Sequence, residues 1–133
     1  AGLEGVKKVQ VFCVDDVFEV MRIGLAQRTV ASTAMNKTSS RSHSVFIISL
    51  HQKKGATEID STLYLVDLAG SEKVSKSELS DMTLQEARSI NKSLSALGNV
   101  ITALTQNKAH VPYRNSKLTY LLRHALGGNC LAS

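Results

Sequence analysis

Apolar and polar positions alternate between two periods along this chain, and the changes of period mark its elements. Val6 to Phe12 reads as a short strand. Val14, Val17, Phe18, Met21 and Leu25 then recur at spacings of three and four, the stripe of one helix face, and Asp16 with Glu19 predicts a capping pair at the start of that helix. It is expected to run to about Thr33. Small polar residues replace the periodicity from Ala34 to Ser42, which makes this stretch a loop. Ser44 to Leu50 reads as a strand apolar on both faces, hence a central one, covered above and below. Lys53 to Asp60, with Gly55, supplies a polar hairpin turn, and Leu63 to Val66 returns as a second two-sided strand ending at Asp67.

Ala69 to Thr83 is polar and is expected to be a mobile connection. From Leu84 the clearest helix of the chain begins: Leu84, Ala87, Ile90, Leu94, Leu97, Ile101 and Leu104 recur at three and four over about six turns. Its opposite face carries Arg88, Lys92, Ser95, Asn99 and Thr102. A loop from Asn107 to Tyr113, broken by Pro112, leads to a last helix from about Asn115 to Leu126, closed by Gly127 and Gly128. The sequence holds no internal repeat and no low-complexity tract.

Composition places these elements in one domain or a large part of one: 133 residues, 43% hydrophobic, with one proline and no tryptophan. Val45–Ile48 and Leu63–Val66 are the longest apolar runs, strand-sized, so neither a signal peptide nor a membrane span is expected and a cytosolic setting is the default. Cys13 and Cys130 stand far apart and read as reduced, small apolar residues, and histidines at 43, 51, 110 and 124 are too dispersed for a metal cluster. The net charge of +5 is uneven, because residues 1–72 hold eight basic and eight acidic residues and residues 73–133 hold eight and three. A basic second half suits an acidic partner, with nucleic acid, anionic lipid and acidic protein all admissible, or else a solvated face.

The chemistry concentrates in two short stretches, Leu63 to Glu72 (LYLVDLAGSE) and Asn36 to His43 (NKTSSRSH). An acid at the carboxyl end of a buried strand is costly to desolvate unless it faces a cation, and Mg²⁺ held on phosphate is the natural counter-ion for Asp67. Gly70, with no β-carbon, lets its N–H approach a γ-phosphate oxygen. Taken singly, Asp67 can cap the next segment and Gly70 can merely turn the chain. Paired with a loop that packs Asn36, Ser39, Ser40, Arg41, Ser42 and His43 into eight residues, they point to phosphate. Hydroxyls there can ligate Mg²⁺ or hold a water, and Arg41 can form a bidentate pair with Glu72. No G-x-x-x-x-G-K-[ST] loop occurs, and glycines stand only at 2, 5, 24, 55, 70, 98, 127 and 128, so this reads as one half of a nucleotide site.

These motifs resemble the second half of a kinesin motor domain. NKTSSRSH is similar to the family's switch I, LVDLAGSE to switch II, INKSLSALGNVITAL at 90–104 to the relay helix, HVPYRNSKLTYLL at 110–122 to the following loop and helix, and LGGN at 126–129 to the turn before the last core strand. The resemblance covers nearly the whole chain. It implies an α/β fold of the P-loop NTPase kind, a central, mostly β sheet flanked by helices, of which residues 1–133 are the C-terminal part, without the P-loop or the neck linker. It further implies an ATP-driven microtubule motor whose cofactor is Mg²⁺.

On that resemblance Ser39 would hold the γ-phosphate and position the lytic water, Ser40 would ligate Mg²⁺, and Asp67 would reach Mg²⁺ through water. Gly70 would sense the γ-phosphate, Arg41 and Glu72 would close as a bridge, and Asn36 would join the nucleotide contacts. Tubulin, strongly acidic, would be the partner of Lys73, Lys76, Lys92, Arg114 and Lys117. Neither nucleic acid nor membrane is an expected partner, and the 133 residues alone are expected not to turn over ATP. Two departures stand out: Ser77-Glu78-Leu79-Ser80-Asp81 replaces the usual Gly- and acid-containing stretch, and Tyr120 stands where the family is often basic. The alternative is a microtubule-binding module derived from such a motor without ATPase activity. Intact Ser39, Ser40, Arg41, Asp67, Gly70 and Glu72 argue against it.

Overall fold

A computed structural model of the chain describes residues 5–30, 42–70 and 81–131. They fall into two units, within residues 1–39 and within residues 40–133.

The first unit contributes one helix, α1 (Val14–Val30). It starts earlier than the sequence pattern predicts. The Cys13 carbonyl accepts the first helical bond, from the Val17 amide at 3.4 Å, and the Asp16 carboxylate folds back to accept the amides of Phe12 (2.9 Å) and Cys13 (3.3 Å). Asp16 therefore occupies the third helical position and supplies the return half of a capping box, satisfying donors that the first turn leaves unpaired. Glu19, expected as its partner, lies one turn further in and pairs with Arg22 at 2.7 Å instead. The expected strand over 6–12 is absent among the described residues. A strand needs a ladder partner, and none of them offers one. The stripe of α1 forms, yet Phe18 stays 62% exposed, because periodicity specifies a face and not what covers it.

The second unit is built on one antiparallel pair, β1 (Ser44–Lys54) and β2 (Thr57–Asp67). The turn between them is tighter than the polar run 53–60 suggests: Gly55 takes φ +62° and Ala56 does not, the sign pattern of a type II′ turn whose twist matches its strands. Polar residues then sit on the ladder rather than in the loop, as His51–Asp60 (2.6 Å) and Lys53–Glu58 (3.3 Å) pair across the strands. The expected burial on both faces is not observed. Residues 49–54 of β1 are exposed, and Leu63 of β2 is 53% exposed, since a two-stranded ribbon has no second layer to cover it.

Two helices complete the unit, α2 (Asp81–Thr105) and α3 (Lys117–Leu126), joined through a 3₁₀ turn at Tyr113–Asn115. α2 ends in a Schellman motif: Asn107 adopts φ +49°, Lys108 donates to the Ala103 carbonyl (2.9 Å), and Asn107 donates to that of Leu104 (3.1 Å). α2 packs on α3 and on the 3₁₀ turn, burying Ile90, Ala96, Val100 and Ala103 against a layer that includes Leu118 and Leu122. The buried face is rotated by about one residue from the predicted stripe, leaving Ile101 46% exposed. The large residues define a stripe, but the small Ala96 and Ala103 lie where the neighbouring helix packs. Arg88, Lys92, Ser95, Asn99 and Thr102 are all exposed, as expected.

Ser116 caps α3 with a full capping box, its hydroxyl accepting from the Thr119 amide at 3.1 Å while Thr119 Oγ1 accepts the Ser116 amide at 3.2 Å. Thr119 is completely buried, and its hydroxyl also donates to the Tyr113 carbonyl at 2.7 Å. One side chain thus holds both the helix start and the preceding turn.

Two outcomes follow. Thr119→Val keeps the shape but strands the Ser116 amide and the Tyr113 carbonyl, and is expected to cost about 1–3 kcal/mol in denaturant unfolding. Thr119→Ser, which loses only a methyl, should cost about 1 kcal/mol or less. In the first unit, the Phe12 amide, then the Cys13 thiol and amide, hold the Asp16 carboxyl below its ordinary 3.8. A carboxyl lowered in the folded state stabilises at pH above its unfolded value and loses that contribution as pH falls through the folded one. The Phe12 amide proton resonance should therefore shift in one acid step with its midpoint below 3.8, a step missing from Asp16→Ala.

Candidate functional site

The antiparallel register sets Ser44 opposite Asp67. Residues 42–43 before β1 and 68–70 after β2 therefore lie at the same end of the hairpin, although Ser44 and Asp67 are 23 positions apart in the numbering. Asp67 ends β2 and Gly70 follows three residues on, both exposed, with the buried Ala69 between them. The exposure of Asp67 corrects the expectation of an acid ending a buried strand. Its carboxylate is an acceptor-only group on an exposed residue.

His43 joins these two stretches. The buried Ala69 amide donates to His43 Nδ1 at 3.0 Å, and His43 Nε2 lies 2.7 Å from Ser93 Oγ on α2. Ser93 Oγ in turn donates to the Ile90 carbonyl at 2.7 Å. A nitrogen that receives an N–H carries no proton, so neutral His43 bears its proton on Nε2 and donates to Ser93. The bonds run in one direction, from Ala69 through His43 and Ser93 to Ile90, and link three segments of the chain. The sequence pattern placed His43 inside a motif but gave it no task, and Ser93 was not singled out at all. The signal available was a histidine immediately before a strand whose register brings it beside a buried amide.

The remaining nucleotide-site candidates, Asn36, Ser39, Ser40, Arg41 and Glu72, lie outside the described residues, as do Lys73 and Lys76. Of the basic candidates, Lys92 is exposed on α2, Arg114 on the 3₁₀ turn and Lys117 at the first position of α3. Arg114 also lines a cleft of about 280 Å³, together with His110, Val111, Pro112, Tyr113, Asn115, Tyr120 and Arg123. The Arg123 guanidinium sits 4.3 Å over the centre of the Tyr120 ring, and its Nε donates to His124 Nε2 at 2.9 Å. The tyrosine at an often basic position thus seats a cation from the next turn of the same helix. A β-carbon on Gly127 would run into the Tyr113 hydroxyl, so a glycine there leaves room for the ring that forms one wall of the cleft. Lined by cations and aromatic rings and by no carboxylate, the cleft can accept acidic side chains. Among the described residues no group of His, Cys, Asp and Glu could by itself hold a metal ion, and no helix is long and apolar enough to cross a membrane.

The family model for the kinesin motor domain matches residues 1–133. The chain belongs to the kinesin motor domain family. Kinesin heavy chain of Neurospora crassa is 55% identical over 130 residues, covering 96% of this chain and 14% of its own length. Among solved structures, a fast kinesin superposes with a TM-score of 0.78 at 55% identity, over 96% of this chain and 37% of that one. A KIF14 segment with ADP, in complex with a microtubule, superposes at 0.79 with 41% identity, over 96% and 38%. The chain spans a small fraction of its kinesin heavy-chain relatives, and its hairpin and helices form part of the kinesin motor fold.

Proposed function

We propose that this chain carries the γ-phosphate-sensing and track-binding elements of an ATP-driven microtubule motor. The observation that carries the reading is the meeting of the two motif-bearing loops at one end of the hairpin, Ser44 opposite Asp67 and His43 bonded to Ala69. A kinesin neighbour solved with ADP and in complex with a microtubule supports nucleotide and track binding. On this reading Ser39 holds the γ-phosphate and positions the attacking water, and Gly70 offers its amide to the same phosphate. Asn36 contributes a further nucleotide contact, and Arg41 with Glu72 closes the pocket as an ion pair. The reaction then needs no strong protein base, because positioning and electrostatics supply most of the acceleration.

Asp67 fits a hard cation: it is an acceptor-only group, exposed at a strand's carboxyl end beside an open glycine backbone. Ser40 and, through water, Asp67 would hold Mg²⁺, which when bound neutralises charge developing on the phosphate oxygens. The phosphate-cradling loop is not among these 133 residues, so another part of the protein supplies it and the isolated chain is inactive. Loops ordered by the γ-phosphate and released after hydrolysis would act as the switch.

Track binding falls to Lys73, Lys76, Lys92, Arg114 and Lys117, joined by Arg123 on its tyrosine seat. The partner is tubulin, the place the cytoplasmic microtubule, and nucleic acid and membrane are not partners. Exposed ion pairs contribute about 1 kcal/mol or less each, so affinity comes from several together and weakens with salt.

In the intact protein, Asp67→Ala should lower microtubule-stimulated ATP turnover by about a hundredfold or more. Retained turnover would sink the assignment of Asp67. A protein that binds microtubules and never hydrolyses ATP would instead be the motor-derived binding module. Replacing Lys92, Arg114 and Lys117 together by alanine should weaken cosedimentation with microtubules and flatten its dependence on salt. Unchanged binding rejects the footprint.

A further inference from the structure

We propose that His43 is a positioning residue that couples the phosphate-sensing loop to α2 through the bond to Ser93, and does so only as the neutral Nε2–H tautomer. The inference rests on the motor reading for what is coupled, and on geometry alone for the joint itself.

Ala69 precedes Gly70, so the peptide that carries the Ala69 amide is separated from the one that presents the Gly70 N–H by only two backbone torsions. That amide is buried, and a buried N–H needs a partner; His43 Nδ1 supplies it at 3.0 Å. The same flat ring reaches α2 on its other side, at 2.7 Å from Ser93 Oγ. Ser93 adjoins Lys92, which lies exposed on the same helix. A movement of the loop at Ala69 therefore bears on α2 as long as both bonds hold, because the rigid ring fixes the spacing between its two nitrogens. The Ser93 hydroxyl is further committed to the Ile90 carbonyl at 2.7 Å, so the pull is delivered to the helix backbone. A doubly protonated ring cannot take part, since both nitrogens would then donate and the Ala69 amide would face another donor. Coupling through one element that has two arrangements is what an allosteric joint requires.

The ring's two functions can be separated by substitution. An asparagine at 43 offers an acceptor where Nδ1 stands but is too short to reach Ser93. Ser93→Ala removes the same link from the other side, and Ser93→Thr restores the hydroxyl. In the intact protein, Ser93→Ala is expected to leave basal ATP turnover within about twofold of wild type, while the stimulation by microtubules falls about five- to tenfold, the range of one modest coupling. His43→Asn should lose stimulation to the same extent, the double variant should lose no more than either single one, and Ser93→Thr should recover it. Additive losses, or normal stimulation in Ser93→Ala, overturn the proposal. Amide hydrogen exchange is read alongside. His43→Ala should speed exchange at Ala69 and His43→Asn should not, whatever the enzyme does; unchanged exchange in His43→Ala overturns the joint. A wild-type protein that shows no ATP turnover would fail the motor reading, and the exchange result would still decide the bond.

Discussion

One buried peptide N–H organises the candidate site. Ala69 lies between an exposed acid and an exposed glycine at the end of β2, where the chain has left the ladder and its amide can no longer pair with β1. An unpaired buried amide costs about 1–3 kcal/mol, enough to matter against the marginal stability of a small domain. The imidazole of His43 removes that cost, and residue 43 before β1 is tied to residue 69 after β2 by doing so. A serine at 43 could accept the same bond, but it could not also reach α2. A histidine is required by span: two ring nitrogens on opposite sides allow one side chain to bridge a loop and a helix.

The register of the hairpin makes that bridge available. A slip of one residue would send each side chain to the opposite face and move Asp67 away from Ser44. The register is pinned at the far end by the turn at Gly55, beside the cross-strand pairs His51–Asp60 and Lys53–Glu58. These pairs are exposed, and their contribution to stability is small. The tight turn sets the alignment, because its length fixes which residues of the two strands face each other. The polar tip and the site loops thus stand at opposite ends of one rigid pair, and the tip fixes the geometry that the site uses.

How much of this was legible in the sequence depended on whether the signal was local. Both strands, all three helices and the exposed polar face of α2 follow from periodicity. The motifs at 36–43 and 63–72 carried the family resemblance before any geometry was known. What failed were the strand expected over residues 6–12, which has no ladder partner among the described residues, and statements about cover. Ser44 to Leu50 reads as a two-sided strand, yet residues 44–48 are only half-buried and 49–50 are exposed. The stripe of α2 was drawn through its large residues, whereas the helix buries Ala96 and Ala103. The spacing of Asp16 and Glu19 predicts a capping pair, whereas Asp16 serves from inside the first turn. In each case the residues specify a local preference, and the tertiary partner decides which face or which position is used. The His43–Ser93 contact, 50 positions apart, has no local signature at all.

The basic end of the chain shows why a charge count is a weak guide to a binding surface. Tyr120 looked like a missing cation, since its ring carries no charge. The structure sets Arg123 over that ring and ties its Nε to His124, so the guanidinium is held in one place rather than waving on a flexible stem. A held guanidinium gives up less conformational entropy on meeting a carboxylate than a free lysine does, and its planar fork can bind two oxygens at once. Its neighbours reinforce it, since the Tyr113 ring stands beside Gly127, where any β-carbon would push it aside, and the buried Thr119 hydroxyl ties the Tyr113 carbonyl to the start of α3. A cation seated on a tyrosine can therefore serve an acidic partner at least as well as the basic residue it replaces, and the surface is defined by what holds its charges still.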